Sequence, residues 1–548
     1  MLSKVTARFY GLSLWLFLLL LAGRSLAQVP TPVRIADASC AKCHAEICNK
    51  YLMTPMANAS GAASERPHPL STVQSRAGVS YTITSDVTGG RASLLSMTSK
   101  SESKTVSLDY FLGSGHLGTT YIYAANGFLF ESPIAWYAAS GNFDMKPGLA
   151  GMSRVVPALP LQSGCLRCHM SEVRRSDPGT LNRYKNSAFL HTGVTCEACH
   201  GDSTGHVSSG GKIKVINPAR LDAAKRDSIC INCHLEGDVL VERAGRSALD
   251  FVPGESITDF ASYYVYGGKA ATARAVSEVE QFAQSGCKRA SGETMSCTSC
   301  HDPHFTPDKE QRVAFYRSKC LTCHSNAKFA ESHHPETKDC TSCHMKQTGA
   351  ENIPHVAWTD HRILRIPEVA QPQRTPATKE LAAIFPEAGT KRDLAMAYYK
   401  AMLAGDKALE PTAWGQLNGV RSDLAGDPEA LDALGVMAAA RGDEPSAADL
   451  FRKVLSINGN DLTALSNLGT IMAKEGKLEE AQSLLNAAFA RNQDIPGLAS
   501  NVARVDCMAG NSDAAKKVLQ EALFYNPGLE SLESLNTQMS HCPATNVR

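Results

Sequence analysis

The chain has 548 residues, more than a single hydrophobic core serves, so two or more domains are expected. Its 55 Lys and Arg balance 54 Asp and Glu, so there is no basic excess of the kind that nucleic-acid binding requires. The 18 cysteines exceed what an ordinary core uses, and they demand either a disulfide framework or a bound group.

Residues 1–27 read as an export signal. Lys4 and Arg8 precede the apolar run "FYGLSLWLFLLLLAG" at 9–23, and Ser25-Leu26-Ala27 forms a small-x-small cleavage site. An uncleaved anchor is the competing reading, but the run is short for a bilayer span and no later segment is apolar for long enough. The mature chain is expected to begin at Gln28, in the periplasm or outside the cell. No transmembrane span is expected after cleavage.

"CAKCH" at Cys40, Cys43 and His44 is the first of seven copies of one format. The others are Cys165, Cys168 and His169; Cys196, Cys199 and His200; Cys230, Cys233 and His234; Cys297, Cys300 and His301; Cys320, Cys323 and His324; and Cys340, Cys343 and His344. Random placement would give on the order of 0.02 copies in a chain of this composition. Zinc sites and redox dithiols also use Cys-x-x-Cys, but neither requires the next residue to be His. Attachment of c-type haem does: two thiols one turn apart reach the two vinyl groups of a porphyrin, and the adjacent imidazole becomes the proximal iron ligand. Seven covalently bound haems are therefore expected, and export agrees with their attachment outside the cytoplasm. Their propionates would make the holoprotein acidic, favouring partners with a basic docking face.

Haems that only carry electrons want a second axial ligand each. The foremost candidates are His191, His206, His304, His355 and His361, with one of His333 and His334; His68 and His116 come after them. Met56, shortly after the first motif, could ligate the first haem, although a buried Met is more often packing.

Between the first and second motifs the segments "VSYTITSD", "KTVSLDYF" and "TTYIYAANGFLFES" are β-branched and aromatic, and Asn126-Gly127 signals a two-residue hairpin. A small antiparallel β insert is expected at about 70–145, either covering haem edges or presenting a sheet to a partner. From Cys165 to His344 six motifs crowd together, leaving little room for a side-chain core. Porphyrin faces are expected to supply it, so this region should not fold without haem.

A proline-rich joint follows, and a period of 34 then appears. Leu434-Gly435 recurs as Leu468-Gly469; Gly442, Gly476 and Gly510 align, as do Ala447, Ala481 and Ala515, and Phe451, Leu485 and Leu519. This is the tetratricopeptide pattern, in which small residues let two helices cross closely, and 391–426 reads as a degenerate earlier copy. Such a solenoid is either an assembly scaffold or a concave docking groove. The expected fold class is mainly α, with an irregular haem-packed core, a small β insert and a C-terminal α-solenoid. The expected limits are a signal at 1–27, a heptahaem domain at 28–366, a linker at 367–390, repeats at 391–535 and a tail at 536–548. Four cysteines remain outside the motifs. Cys507 and Cys542 could lock the last repeat by a disulfide; Cys48 and Cys287 could form a second, or could bring a thiolate to a haem.

The stretches "GSGHLGTTYIYAANGFLFESPIAWY", "CEACHGDSTGHV", "SGCKRASGETMSCTSCHDPH", "CTSCHMK" and "HVAWTDHRI" resemble the bacterial multihaem c-type cytochromes that carry C-terminal tetratricopeptide repeats. Their haem part is similar to the tetrahaem cytochrome that accepts electrons from hydroxylamine oxidoreductase. The resemblance implies mostly bis-histidine haems in parallel-stacked and perpendicular pairs, with His206, His304, His355 and His361 at positions where such proteins often place distal ligands. The expected function is electron transfer along a chain of haems, with redox partner proteins docking through the repeats. The alternative is an oxidoreductase acting on a small nitrogen or sulfur compound at one open haem. Reductases of that type often replace one motif His by Lys, and none of the seven motifs does so. No catalytic residue is assigned.

Overall fold

The computed structural model describes residues 37–85, 93–99, 102–267, 276–325, 333, 338–349, 357–365 and 379–542. The export signal, His334, His355 and the first half of the linker lie outside the described residues.

Two antiparallel sheets follow the first motif. One is a four-stranded meander of β2 (Ser71–Gln74), β3 (Ser80–Ser85), β4 (Ser93–Thr98) and β5 (Ser103–Leu108). The other orders β1 (Ser60–Ala62), β6 (Tyr110–Leu112), β7 (Gly118–Ala125), β8 (Phe128–Tyr137) and β10 (Leu159–Pro160), with β9 (Asn142–Met145) also on β8. Asn126 and Gly127 turn β7 into β8 with φ of 51° and 84°, the paired positive values that a two-residue hairpin of matching twist requires. Strand β8 is buried on both faces. Phe128, Phe130 and Ile134 join the core between the sheets, while Leu129 packs with Leu112, Ile122 and Leu161 on Leu166 of the second motif's helix, Ser163–His169. The hairpin thus fixes the position of that motif.

The motif-bearing region is built of short helices and loops. Among the described residues from 276 to 365 the one apolar side chain that is buried is Pro307. The missing core is a continuous cavity of ≈ 3510 Å³, about 500 Å³ per motif, a volume in the ~300–1,000 Å³ range of a cofactor site.

Nine helices among the described residues make up the repeat region: α1 (Lys391–Leu403), α2 (Glu410–Gly419), α3 (Pro428–Ala440), α4 (Glu444–Ile457), α5 (Leu462–Lys474), α6 (Leu478–Phe489), α7 (Pro496–Met508), α8 (Ser512–Tyr525) and α9 (Glu530–Gln538). Asp427, Asp443 and Asp461 cap α3, α4 and α5 by accepting from backbone N–H groups. The 34-residue glycines have a packing reason. A Cβ on Gly435 would lie 2.8 Å from Phe451, and one on Gly469 2.7 Å from Leu485, so the helices of a pair cross at contact distance. Cys507 and Cys542 form the disulfide that closes the last repeat, whereas Cys48 and Cys287 are both free thiols.

The solenoid is fastened along the haem-motif region. Strand Ala261–Tyr266 pairs with Val239–Glu242 on one side and with Leu381–Ala383 on the other. Arg243 reaches from the end of the former strand to the Asp393 carboxylate and the Ala388 carbonyl. Arg392 donates to Glu242 O at 2.7 Å while holding Asp427 and Glu429. Further along, Asn492 donates to Gly179 O at 2.8 Å, and Asn526 accepts from the Ala158 N–H at 2.9 Å. Asn492 and Asn526 stand one 34-residue period apart, so successive inter-repeat loops make the attachment.

Candidate functional site

Each motif folds because its last residue closes a helical turn on its first. The His44, His200, His301, His324 and His344 backbone N–H groups donate to the carbonyls of Cys40, Cys196, Cys297, Cys320 and Cys340, at 2.8–3.0 Å. One turn therefore carries two thiols and an imidazole toward a common side. All seven motif histidines and twelve of the fourteen motif cysteines, all but Cys43 and Cys343, line the cavity.

Four motif histidines face a second histidine across that cavity. His44 and His206 have ring centres 6.3 Å apart with planes within 15°. His200 and His304 are 6.0 Å apart at 15°, His301 and His361 6.3 Å apart at 30°, and His333 and His344 6.0 Å apart at 20°. Such rings do not touch. Two imidazoles on opposite faces of one metal ion, each bonded at about 2 Å, hold their centres roughly 6 Å apart. The Nδ1 partners agree. His200 Nδ1 meets Ile216 O at 2.8 Å, His206 Nδ1 meets Ile213 O at 2.7 Å, His344 Nδ1 meets Leu364 O at 2.6 Å and His361 Nδ1 meets Thr359 O at 2.9 Å. A carbonyl only accepts, so Nδ1 carries the proton and Nε2 presents its lone pair, the tautomer of a metal ligand. Among the described residues no three His, Cys, Asp or Glu side chains converge as they would around a bare metal ion. Cavity, paired rings and flanking thiols fit haem.

The remaining motif histidines differ. His169 Nδ1 lies 3.2 Å from Ala59 O, and burial pushes its imidazole below the usual value. His234 Nδ1 lies 3.6 Å from Glu278 Oε1, and that carboxylate holds the imidazole above its usual value against the effect of burial. Among the described residues no second histidine ring stacks across from His169 or His234. His324 also lines the cavity.

Motifs distant in sequence come together through their thiols. Cys40 meets Cys196, Cys168 meets Cys233, Cys230 meets Cys297 and Cys320 meets Cys340. The first motif therefore adjoins the third, the second the fourth, the fourth the fifth, and the sixth the seventh. Cys48 sits beside Cys40 and Cys196, and Cys287 beside Cys300 and Cys320. The two are thus in different parts of the cavity and are not bonded to each other.

Of the other candidate ligands, Met56 and His116 line the cavity, and among the described residues no motif histidine ring stacks on that of His116. His68 is instead enclosed by Tyr121, Trp136 and Phe143, with ring centres at 5.9, 5.7 and 5.0 Å. His191 sits on strand Phe189–Thr192 opposite Ser171, and its Nε2 faces Glu172 at 3.4 Å. It is not among the residues that line the cavity. Glu278 and Tyr316, which approaches His301 Nδ1 at 3.4 Å, carry no motif that could have revealed them.

Comparison with known proteins matches three parts of the chain. Residues 438–500 match the tetratricopeptide repeat, residues 290–329 a doubled CXXCH motif, and residues 150–201 the family of cytochrome c554 and c-prime. A multiheme cytochrome MtrA of Shewanella baltica (strain OS185) is 24% identical over 177 residues, which are 29% of this chain and 52% of that protein. The chain thus spans about half the length of that curated relative. Among solved structures, Pseudomonas aeruginosa PilF is 21% identical over 27% of this chain and 69% of its own, with a TM-score of 0.25; MamA of AMB-1 is 18% identical over 28% and 86%, also at 0.25. No helix among the described residues is long and apolar enough to cross a membrane. The motifs, the family matches and the helical repeats agree: the chain is a multihaem c-type cytochrome with C-terminal tetratricopeptide repeats.

Proposed function

We propose that the chain carries electrons through seven covalently bound c-type haems, outside the cytoplasm, and that its repeats dock a redox partner. The observation that carries this reading is the set of four histidine pairs 6.0–6.3 Å apart in one motif-lined cavity. In it, the paired motif cysteines hold each haem as thioethers, and His44, His169, His200, His234, His301, His324 and His344 are the proximal ligands. His206, His304, His361 and His333 are the distal ligands of the first, third, fifth and seventh haems. Bound haem supplies a one-electron Fe(III)/Fe(II) couple.

The pairing laces the chain. His206 follows the third motif and reaches the first; His304 follows the fifth and reaches the third; His361 follows the seventh and reaches the fifth. Each ligand pair therefore ties one haem site to the segment of the next, which keeps the odd-numbered sites close enough to exchange electrons. Thiol contacts join the second and fourth sites to the fifth.

Fastening of the inter-repeat loops to the haem-motif region supports a docking role, because a bound partner would be held at a fixed position relative to the haems. Intact-mass measurement of the mature protein should give the polypeptide from Gln28 plus seven haems; any smaller number refutes the count. His206→Ala should convert one low-spin haem to high-spin in electron paramagnetic resonance, and an unchanged spectrum refutes its assignment. Deleting 391–548 should abolish capture of the redox partner, and retained capture refutes docking through the repeats.

The alternative, an oxidoreductase acting on a small nitrogen or sulfur compound, is favoured by one observation: neither His169 nor His234 faces a second histidine among the described residues. A high-spin signal in the unmodified protein that nitrite, hydroxylamine or cyanide abolishes would establish it.

A further inference from the structure

The Nδ1 partners of the motif histidines are not equivalent. His169, His200 and His344 face the carbonyls of Ala59, Ile216 and Leu364, and His301 faces the Tyr316 hydroxyl. Of the motif histidines whose Nδ1 partner is defined, only His234 faces a carboxylate, Glu278 Oε1 at 3.6 Å. That distance is an ion-pair contact rather than a full hydrogen bond. The Glu278 side chain is 19% exposed and that of His234 51%, and Glu278 Oε2 is buried with no hydrogen-bond partner among the described residues. Among the described residues no lysine or arginine forms an ion pair with Glu278, so its charge is directed at the imidazole. His304 also has an acid near Nδ1, Asp302 at 3.6 Å, but that carboxylate is 47% exposed against 19% for Glu278 and is the more screened by water.

A carboxylate behind Nδ1 polarises the N–H bond and raises the basicity of Nε2, which favours the more highly charged iron. A buried negative charge nearby acts in the same direction. The opposing cations are Arg167, which donates to Asn232 Oδ1 at 2.9 Å and acts on the Cys233 side of the motif, and Arg226, which acts with Asp227 on the Cys230 side.

Building on the proximal role proposed above for His234, we infer that Glu278 is a positioning residue that makes the fourth haem the lowest-potential centre in the chain. The thiol contacts give this a functional meaning, because the fourth motif touches both the second and the fifth. A low-potential centre at that junction directs reducing equivalents outward along either branch. It also holds its own iron oxidised until the neighbouring sites are filled.

The test is a potentiometric titration of the full-length holoprotein, followed by optical and electron paramagnetic resonance spectra, for wild type, Glu278→Gln and Glu278→Asp. Glu278→Gln should raise the lowest midpoint potential, shift one neighbouring haem less in the same direction, since Glu278 also acts at longer range on His301, and leave the others in place. Glu278→Asp, which keeps the charge but withdraws it by a methylene, should give a smaller upward shift and is the deciding variant if Glu278→Gln loses a haem. The inference is overturned if the lowest potential is unmoved in a variant with its full haem complement, or if both variants shift it equally. Intact mass separates the two failures: missing haem in the wild type would defeat the proposed cofactor content, whereas a full complement with unmoved potentials would defeat only the role of Glu278.

Discussion

Removing the Arg243 guanidinium tests whether the repeats are rigidly mounted on the haem-motif region. Arg243 donates to the Asp393 carboxylate, the Ala388 carbonyl and Thr258 O, the last at 2.9 Å. Its own side chain is 14% exposed and that of Asp393 1%. Breaking a buried pair by deleting one partner costs ~3–5 kcal/mol, because the other charge stays buried. Asp393 retains Arg392 Nη1 at 3.3 Å and the Ser262 hydroxyl at 3.2 Å, so Arg243→Met belongs at the low end, about 3 kcal/mol. The double variant Arg243→Met/Asp393→Asn should recover at least about 1 kcal/mol of this, since no unpaired charge remains. Urea unfolding followed by far-ultraviolet ellipticity reports the repeat helices, and Soret absorbance reports the haem region. Loss below about 1 kcal/mol in the single variant, or strict additivity in the double, would refute the reasoning.

Three further outcomes are expected. Gly469→Ala gains about 1 kcal/mol of helix propensity, but the new Cβ meets Leu485 Cγ at 2.7 Å; overpacking costs ~1–3 kcal/mol, so the urea midpoint should fall, and a rise would show that the helices can separate freely. The Asp432 carboxyl is pushed up to about 9 by burial and by Asp461 and Glu429. The native state then holds a proton that the unfolded chain releases near pH 4, so stability falls between those values, and Asp432→Asn should raise the midpoint more at pH 8 than at pH 4.5. Equal gains at both pH values would contradict this. Reducing the Cys507–Cys542 bridge, 35 residues apart, should loosen the last repeat by up to about 4 kcal/mol, read as faster hydrogen exchange in α8 and α9. Unchanged exchange would show that packing alone holds that end.

How much could be read beforehand differs by element. The hairpin at Asn126-Gly127 was legible because positive φ at two successive residues is a local demand. The burial of β8 on both faces was not, because its second face packs on Leu166, a motif residue with no mark in the strand's own pattern. Gly435 and Gly469 stood out by period, and the packing of Phe451 and Leu485 on them supplies the reason. Among the histidines, His206, His304 and His361 were expected as distal ligands, and each lines the cavity opposite a motif histidine. His191 was expected with them, but position within the motif region does not reveal which side chains line the cavity, and His191 is not among those that do.

By itself the sequence determined the chemistry that is written over short distances: seven thiol pairs each followed by an imidazole, which need only one helical turn, and the 34-residue period, in which each helix meets its immediate neighbours. Only the tertiary structure decided which imidazoles face one another, that His333 pairs with His344, and that a carboxylate at Glu278 stands behind His234. The physical reason is that a turn is governed by bonds to the fourth residue along the chain. A ring 6 Å away across a cavity is governed by every loop between, and no residue type or spacing encodes that distance.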